Sequence, residues 1–366
     1  MMSTIVDIDI KLFRVPLPRP WGPAVPHNYL VTCELTDSEG RLGTGFTWTP
    51  HVGARAIAAM LAHDCREIIR GWPAHPSVVW DRLWRALHEA GGGGITTLAI
   101  AAIDTALWDL MLRRCGMTLA QYLGPRRASV SAYGSGINYD DDLDALADQT
   151  RGWVQAGYGG VKIKVGHPSL EEDMKRCELV RTIIGPNRRL MIDANQRWNL
   201  DQATRAIDVL ARYDIHWVEE PLLSDDIEGY QTLRNRVRIP LAMGENQRTI
   251  FEFRRALTLH ACDIIQPNVA RVGGITPFLQ IAALGHAMGA RVCPHHLPEV
   301  SGQLALCIPG EELIENIDQS SFNNLGILKA KVFKKGSEVK GSDGAESGLG
   351  LDFDFDRSTA FALNLQ

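Results

Sequence analysis

Seven short stretches of this 366-residue chain carry the residue types that proton chemistry needs. They are Lys162-Ile163-Lys164, Asp193-Ala194-Asn195, Glu219-Glu220-Pro221, Gly244-Glu245-Asn246, Pro267-Asn268, Pro294-His295-His296 and Glu315-Asn316. Asp193, Glu219 and Glu245 follow one another at intervals of 26 residues. If they converge, three carboxylates cannot all stay ionised without a cation, and an all-oxygen set with room for water and substrate suits Mg²⁺. Singly, each would more simply cap a helix or pair with an arginine. Lys162 and Lys164 are two apart, so on a strand they share a face. Two adjacent ammonium groups depress each other's pKa, which readies one as a base near neutral pH; an isolated pair would read as solvated surface lysines. His295 lies on a later strand end, across from Lys164, where an acid or second base would bracket a substrate carbon. His296, one residue on, should point away. Glu315, if shielded and kept protonated, would donate a hydrogen bond to an oxyanion; an ordinary surface glutamate fits its local pattern equally well.

These residues matter only if regular elements bring them together. From about residue 126 the sequence alternates short apolar strands with amphipathic helices: SVSAYGSGI, GVKIKVG, RLMIDANQ, HWVEEP, PLAMGEN, DIIQPN, ARVCPHH and, less clearly, ELIENI. Strand and helix repeating at roughly 25 to 30 residues predict a parallel sheet, and about eight such units predict a closed βα barrel whose active site lies at the strands' carboxyl ends. Every stretch named above ends one of these strands. Before them, to about residue 55, three alternating segments read as a meander, and 53–122 reads as helical, most clearly in TTLAIAAIDTALWDLMLRRCGMTLAQYLG. The expected organisation is therefore an α+β unit over 1–125, a barrel over 126–324, and a tail over 325–366 that returns to the first unit.

Composition limits the function classes. A net charge of -5 and the lack of basic runs with interleaved aromatics argue against nucleic acid. No basic-then-apolar leader and no apolar run long enough to span a bilayer are evident, so no membrane association and a cytoplasmic location are expected. The seven cysteines are scattered without a CxxC pair and read as reduced core residues.

KxK, DAN, EEP, GEN, PN-x3-GG and PHH in this order, with AAIDTALWDL before the barrel and GGIT after strand six, resemble the mandelate racemase subgroup of the enolase superfamily over nearly the whole chain. The resemblance implies a modified TIM barrel, (β/α)7β, under an N-terminal α+β capping domain completed by the C-terminal tail. It implies Mg²⁺ on Asp193, Glu219 and Glu245, and Lys164 as the base that takes the proton alpha to a substrate carboxylate, through an enediolate. Lys162 would lie against that carboxylate, Glu220 behind the metal ligands, and Asn195 as a hydrogen-bond donor. Specificity would come from two capping loops, 16–27 and 47–52, which makes Trp21, His27, Trp48 and His51 candidates for substrate contact; packing explains the tryptophans equally well. Assembly as a homo-oligomer, dimer or octamer, is also implied.

Asn268 departs from that pattern. At this strand tip the racemases carry an Asp that holds the histidine, and epimerising relatives carry a Lys base. An asparagine can fix the His295 ring through Nδ1 but supplies no charge to raise its pKa. That weakens a symmetrical two-base racemisation and leaves dehydration, which needs one base and one acid. The expected activity is a hydro-lyase that turns an aldonate or aldarate into a 2-keto-3-deoxy acid. The alternatives are a racemase or epimerase of a 2-hydroxy acid, and a catalytically silent acid-sugar binding protein.

Overall fold

The computed structural model describes residues 2–21, 25–310, 313–330, 338–340, 347–358 and 361–364. Parts of the tail segment GSEVKGSDGAESGLGLD and three residues of the loop 16–27 lie outside these. Three strands, β1 (Ile5–Pro16), β2 (His27–Asp37) and β3 (Leu42–Thr49), form an antiparallel meander. The 21-residue helix Ile95–Cys115 covers its β3 edge. It comes close because β3 carries Gly43 and Gly45 there: a Cβ on Gly45 would stand 2.1 Å from Ala102 O. The otherwise unpaired edge amides of Thr44 and Phe46 donate to Asp109 Oδ2 and Thr105 Oγ1 of that helix, at 2.9 and 3.0 Å. In length and hydropathy this helix would suit a membrane span, contrary to the sequence-based expectation that no segment does; 89% of its apolar 18-residue stretch is buried in the protein, where it serves as a core helix.

Eight parallel strands follow: β4 (Ser129–Ser135), β5 (Gly160–Lys164), β6 (Arg189–Asp193), β7 (Ile215–Glu219), β8 (Leu241–Met243), β9 (Ile264–Ile265), β10 (Arg291–Val292) and β11 (Leu313–Ile317). They are ordered β10-β9-β8-β7-β6-β5-β4-β11, and helices alternate with them as the repeat predicted. The last strand pairs with the first, Glu315 opposite Tyr133, so the sheet curls into a barrel and β11 is well formed. Two tail strands follow. β12 (Glu338–Lys340) pairs with β4, and β13 (Ala362–Leu363) pairs with β1, which ties the chain's end to the first sheet.

Tyr133, Met191, Trp217, Ala242, Ile264, Cys293 and Leu313 form one buried cluster inside the barrel. Because alternate residues on a strand share a face, two positions further along come Asp193, Glu219, His295 and Glu315. The apolar plug thus sets the register of the charged layer above it. Of the cysteines, none of them in a disulfide, Cys115 is exposed and Cys307 half-buried, while the other five are core residues as expected.

The cap is latched to the barrel by the segment that follows Asn268. Asp104 on helix Ile95–Cys115 accepts from the Thr276 amide at 3.0 Å, Trp108 Nε1 donates to Thr276 Oγ1 at 3.0 Å, and Trp80 Nε1 donates to Gly273 O at 3.1 Å. Gly274 has φ 109° and lies so close under Asp104 that a Cβ would stand 2.2 Å from its Oδ2. Burial raises the Asp104 pKa to about 7, and the Thr276 and Ile275 hydrogen bonds only partly offset it. A carboxyl raised on folding favours the native state fully below its unfolded pKa of about 3.9 and loses that contribution as pH rises through 7. Asp104→Asn keeps an acceptor for Thr276 and removes this titration. Its stability relative to wild type should therefore rise between pH 4.5 and 8, by roughly 4 kcal/mol at most, as read from urea midpoints at the two pH values.

Candidate active site

One carboxylate oxygen from each of Asp193, Glu219 and Glu245 lies within 4.8 Å of the other two. All three are at strand carboxyl ends, as the 26-residue spacing required. Each is held by neighbours. The Asn195 amide donates to Asp193 Oδ1 at 2.8 Å; Gln266 Nε2 and Trp217 Nε1 donate to Glu219 Oε2 at 2.7 and 3.3 Å; His295 Nε2 stands 3.0 Å from Glu245 Oε2. Burial pushes the Glu219 pKa up to about 7, Lys162 opposes this, and the like charges of Asp193, Glu315 and Glu245 add to it. Crowded and all-oxygen, with Asp193 and Glu219 buried and Glu245 half-buried, the three ligands fit a hard divalent cation, which would relieve that repulsion.

Lys162 is buried among these carboxylates. It is hydrogen-bonded to Glu219, 2.7 Å from Glu315 Oε1 and 3.6 Å from Asp193 Oδ2. Burial alone would lower its pKa, but Glu219, Glu315 and Asp193 raise it well above the usual lysine value. The mutual depression expected of the KxK pair does not govern Lys162, because close carboxylates outweigh one neighbouring lysine. Lys162 is thereby held cationic, while the Nζ of Lys164 lies 2.6 Å from Asp193 Oδ2. Lys162→Met should cost about 3 kcal/mol, since it strands buried carboxylates. The loss should be greatest with chelator present and shrink on adding Mg²⁺, measured as the shift in thermal midpoint under the two conditions.

Glu315 is a correction to the sequence reading. Burial would raise its pKa, but Lys162 beside it, with His295 facing it at 3.4 Å, brings it down to about 2. It is a charged acceptor of hydrogen bonds, one of them from the His296 amide at 3.2 Å. The neutral acid imagined for it would need an apolar site, and this site has an ammonium in it.

Asn268 lies against the ring of His295. Its Oδ1 accepts from the amides of Ala270 and Arg271 at 3.0 and 3.1 Å, so its NH₂ is the end that meets His295 Nδ1, at 2.8 Å. An N–H facing Nδ1 requires Nδ1 to accept. The ring proton therefore sits on Nε2, directed at Glu245 and Glu315. Flipping the amide would forfeit two backbone hydrogen bonds, so the loop enforces a hydrogen-bond donor at Nε2.

The other sequence candidates scatter. Asn195 is exposed at φ 42°, and only its backbone is engaged with Asp193. Glu220 is buried and accepts from Asn246 Nδ2 through both oxygens at 2.9 Å. Trp21 and Trp48 meet edge to face, with ring centroids 6.1 Å apart. His27 is not with them. Its neighbour Tyr29 packs on the cap's helical core, whereas Leu30 and Trp48 join the barrel-side core, so alternation along β2 turns His27 to the far face, beside Arg14 and Phe361. His296, expected to be merely structural, has φ 54° and is followed by Leu297 at φ 51°. Two successive left-handed non-glycine residues swing its ring onto Trp48, 5.2 Å between centroids, and Trp21, 6.4 Å. No sequence signal marked that turn.

Comparison with known proteins fits this geometry. Residues 8–124 match the mandelate racemase / muconate lactonizing enzyme N-terminal domain, and residues 145–357 match the enolase C-terminal domain-like family. The chain belongs to the mandelate racemase / muconate lactonizing enzyme family. It is 33% identical over 316 residues to 3,6-anhydro-alpha-L-galactonate cycloisomerase of Streptomyces coelicolor, covering 85% of this chain and 88% of that one. It is 33% identical over 290 residues to L-talarate/galactarate dehydratase of Salmonella typhimurium, covering 79% and 73%. Among solved structures, L-talarate dehydratase from Polaromonas sp. JS666, complexed with Mg and L-glucarate, superposes with a TM-score of 0.90 at 29% identity over 99% of this chain and 98% of that one.

Proposed function

We propose that the protein is a Mg²⁺-dependent hydro-lyase that removes the proton alpha to the carboxylate of an aldonate or aldarate and expels the beta hydroxyl, giving a 2-keto-3-deoxy acid. The observation that carries this reading is the Asn268–His295 pair. A racemase working from two faces needs a base on each, and a histidine whose Nδ1 accepts from an amide and whose Nε2 carries the proton has no free lone pair to offer. One base is left, Lys164.

Mg²⁺ held by Asp193, Glu219 and Glu245 would supply the positive charge that makes the alpha proton of the bound carboxylate removable. Lys162, permanently cationic, lies where it can face the same carboxylate. Lys164 takes the alpha proton. The C–H electron pair is held first on the substrate's carboxyl oxygens, so that the proton can return, and then forms the carbon–carbon double bond as the beta C–O bond breaks; the ammonium just formed gives its proton to the departing hydroxyl as water. His295 steadies that oxygen with Nε2–H. The enol product then becomes the 2-keto acid.

Similarity to proteins named as sugar-acid dehydratases supports the substrate class. Assembly as a dimer or octamer belongs to the same reading and is checked by light scattering. The test of function is incubation of the Mg²⁺-loaded protein with a panel of aldonic and aldaric acids. Release of a 2-keto-3-deoxy acid from at least one is expected. Alpha-proton exchange in D₂O with inversion and no water loss would support the racemase or epimerase instead, and binding without turnover or exchange would support a silent acid-sugar receptor.

A further inference from the structure

Between the cap sheet and the barrel mouth lies a cavity of about 10 Å³, lined among others by Asn28, Trp48, His296 and Ser320. Three of these side chains carry buried polar atoms with no hydrogen-bond partner among the described residues: Asn28 Oδ1, Trp48 Nε1 and His296 Nδ1. Their residues are 5%, 6% and 1% exposed. Buried polar groups are nearly always satisfied, so three orphans on residues lining one small space point to a common partner. The volume has room for one oxygen and no more.

The three groups also form a matched set. Trp48 Nε1–H can only donate and Asn28 Oδ1 can only accept, while His296 Nδ1 does either. A hydroxyl accepts twice and donates once, so it can take hydrogen bonds from Trp48 and from an Nδ1–H of His296 and give its own to Asn28. The location suits a substrate. His296 follows the histidine of the active site, with ring centroids 5.9 Å apart, and its ring reaches the cap only because of its left-handed backbone. Trp48 in turn lies under Arg271, whose guanidinium contacts Glu245 O at 2.9 Å.

We propose that Asn28, Trp48 and His296 form a receptor for a single hydroxyl of the polyhydroxy acid, on a carbon beyond the two that react. The inference rests on the acid-sugar reading above and adds the residues that read the sugar chain. A site built to hydrogen-bond a hydroxyl discriminates strongly against the analogue that lacks it, because its own polar groups are then left unpaired.

The test compares a turned-over acid with its mono-deoxy analogues at C4, C5 and C6, in wild type and in Asn28→Ala and Trp48→Phe, the latter keeping an aromatic ring while removing the N–H donor with the rest of the pyrrole ring. One analogue should lose at least tenfold in kcat/KM with wild type, and each variant should lose at least tenfold on the parent acid. Variant and missing hydroxyl together should cost no more than either alone. Losses that multiply, or that fall equally on every analogue, would mean that the cavity holds a structural water and would overturn the proposal. Should no acid be turned over, the functional reading fails separately, and calorimetric binding of parent and analogues to the Mg²⁺-loaded protein decides the receptor on the same non-additivity criterion.

Discussion

Lys164→Ala should lower kcat by roughly 10³-fold or more, within the range that a positioned general base contributes, while leaving substrate binding within a few-fold. The expectation follows from a division of labour between two lysines that look equivalent in sequence. Lys162 contacts Glu219, Glu315 and Asp193 and is held cationic by them. Among the described residues, Lys164 has Asp193 alone of the carboxylates within salt-bridge distance. A cation drawing on Asp193 would loosen that pair and free the amine for the alpha proton. Single-turnover kinetics with the best acid of the panel, beside calorimetric binding to the same variant, separates the two effects. If binding collapsed along with turnover, Lys164 would be holding the substrate and the base would lie elsewhere.

Asn268→Asp is the second large change, and it should alter the kind of reaction as well as its rate. The present Oδ1 is fixed by the amides of Ala270 and Arg271, and the NH₂ is fixed on Nδ1. An aspartate would keep one oxygen on those amides and present the other, an acceptor, to Nδ1. The ring would then carry its proton on Nδ1, and Nε2 would become a lone pair facing the site. His295 would gain a base form, so the variant should exchange the alpha proton of the epimeric substrate at least tenfold faster than wild type, as followed by proton NMR in D₂O. An unchanged exchange rate would mean that the amide is not what silences His295.

Much of this was legible in the sequence because a βα barrel converts linear spacing into convergence. Asp193, Glu219 and Glu245 share one ring because each closes one unit; parity places Asp193 over Met191 and Glu219 over Trp217, whereas Glu245 comes three residues after Ala242, past Gly244 at φ 136°. What could not be read was set by partners from other strands. Glu315 is charged because Lys162, far off in sequence, reaches it, and Lys162 escapes its neighbour's influence for the same reason. His27 faces away because β2 begins on it, a matter of one residue's register. His296 turns to the cap through two left-handed residues that no residue type announced. The tautomer of His295 depended on which end of the Asn268 amide the backbone occupies, and only the loop geometry reveals that.

The central claim, one base on one face with His295 donating from Nε2, is tested most directly by running the dehydration partway in D₂O and analysing the unreacted substrate and the product by NMR. Deuterium at the alpha carbon of recovered substrate should appear only with retained configuration, and the amount should vanish with Lys164→Ala. Recovery of the inverted epimer carrying deuterium would show a second base at work and contradict the account.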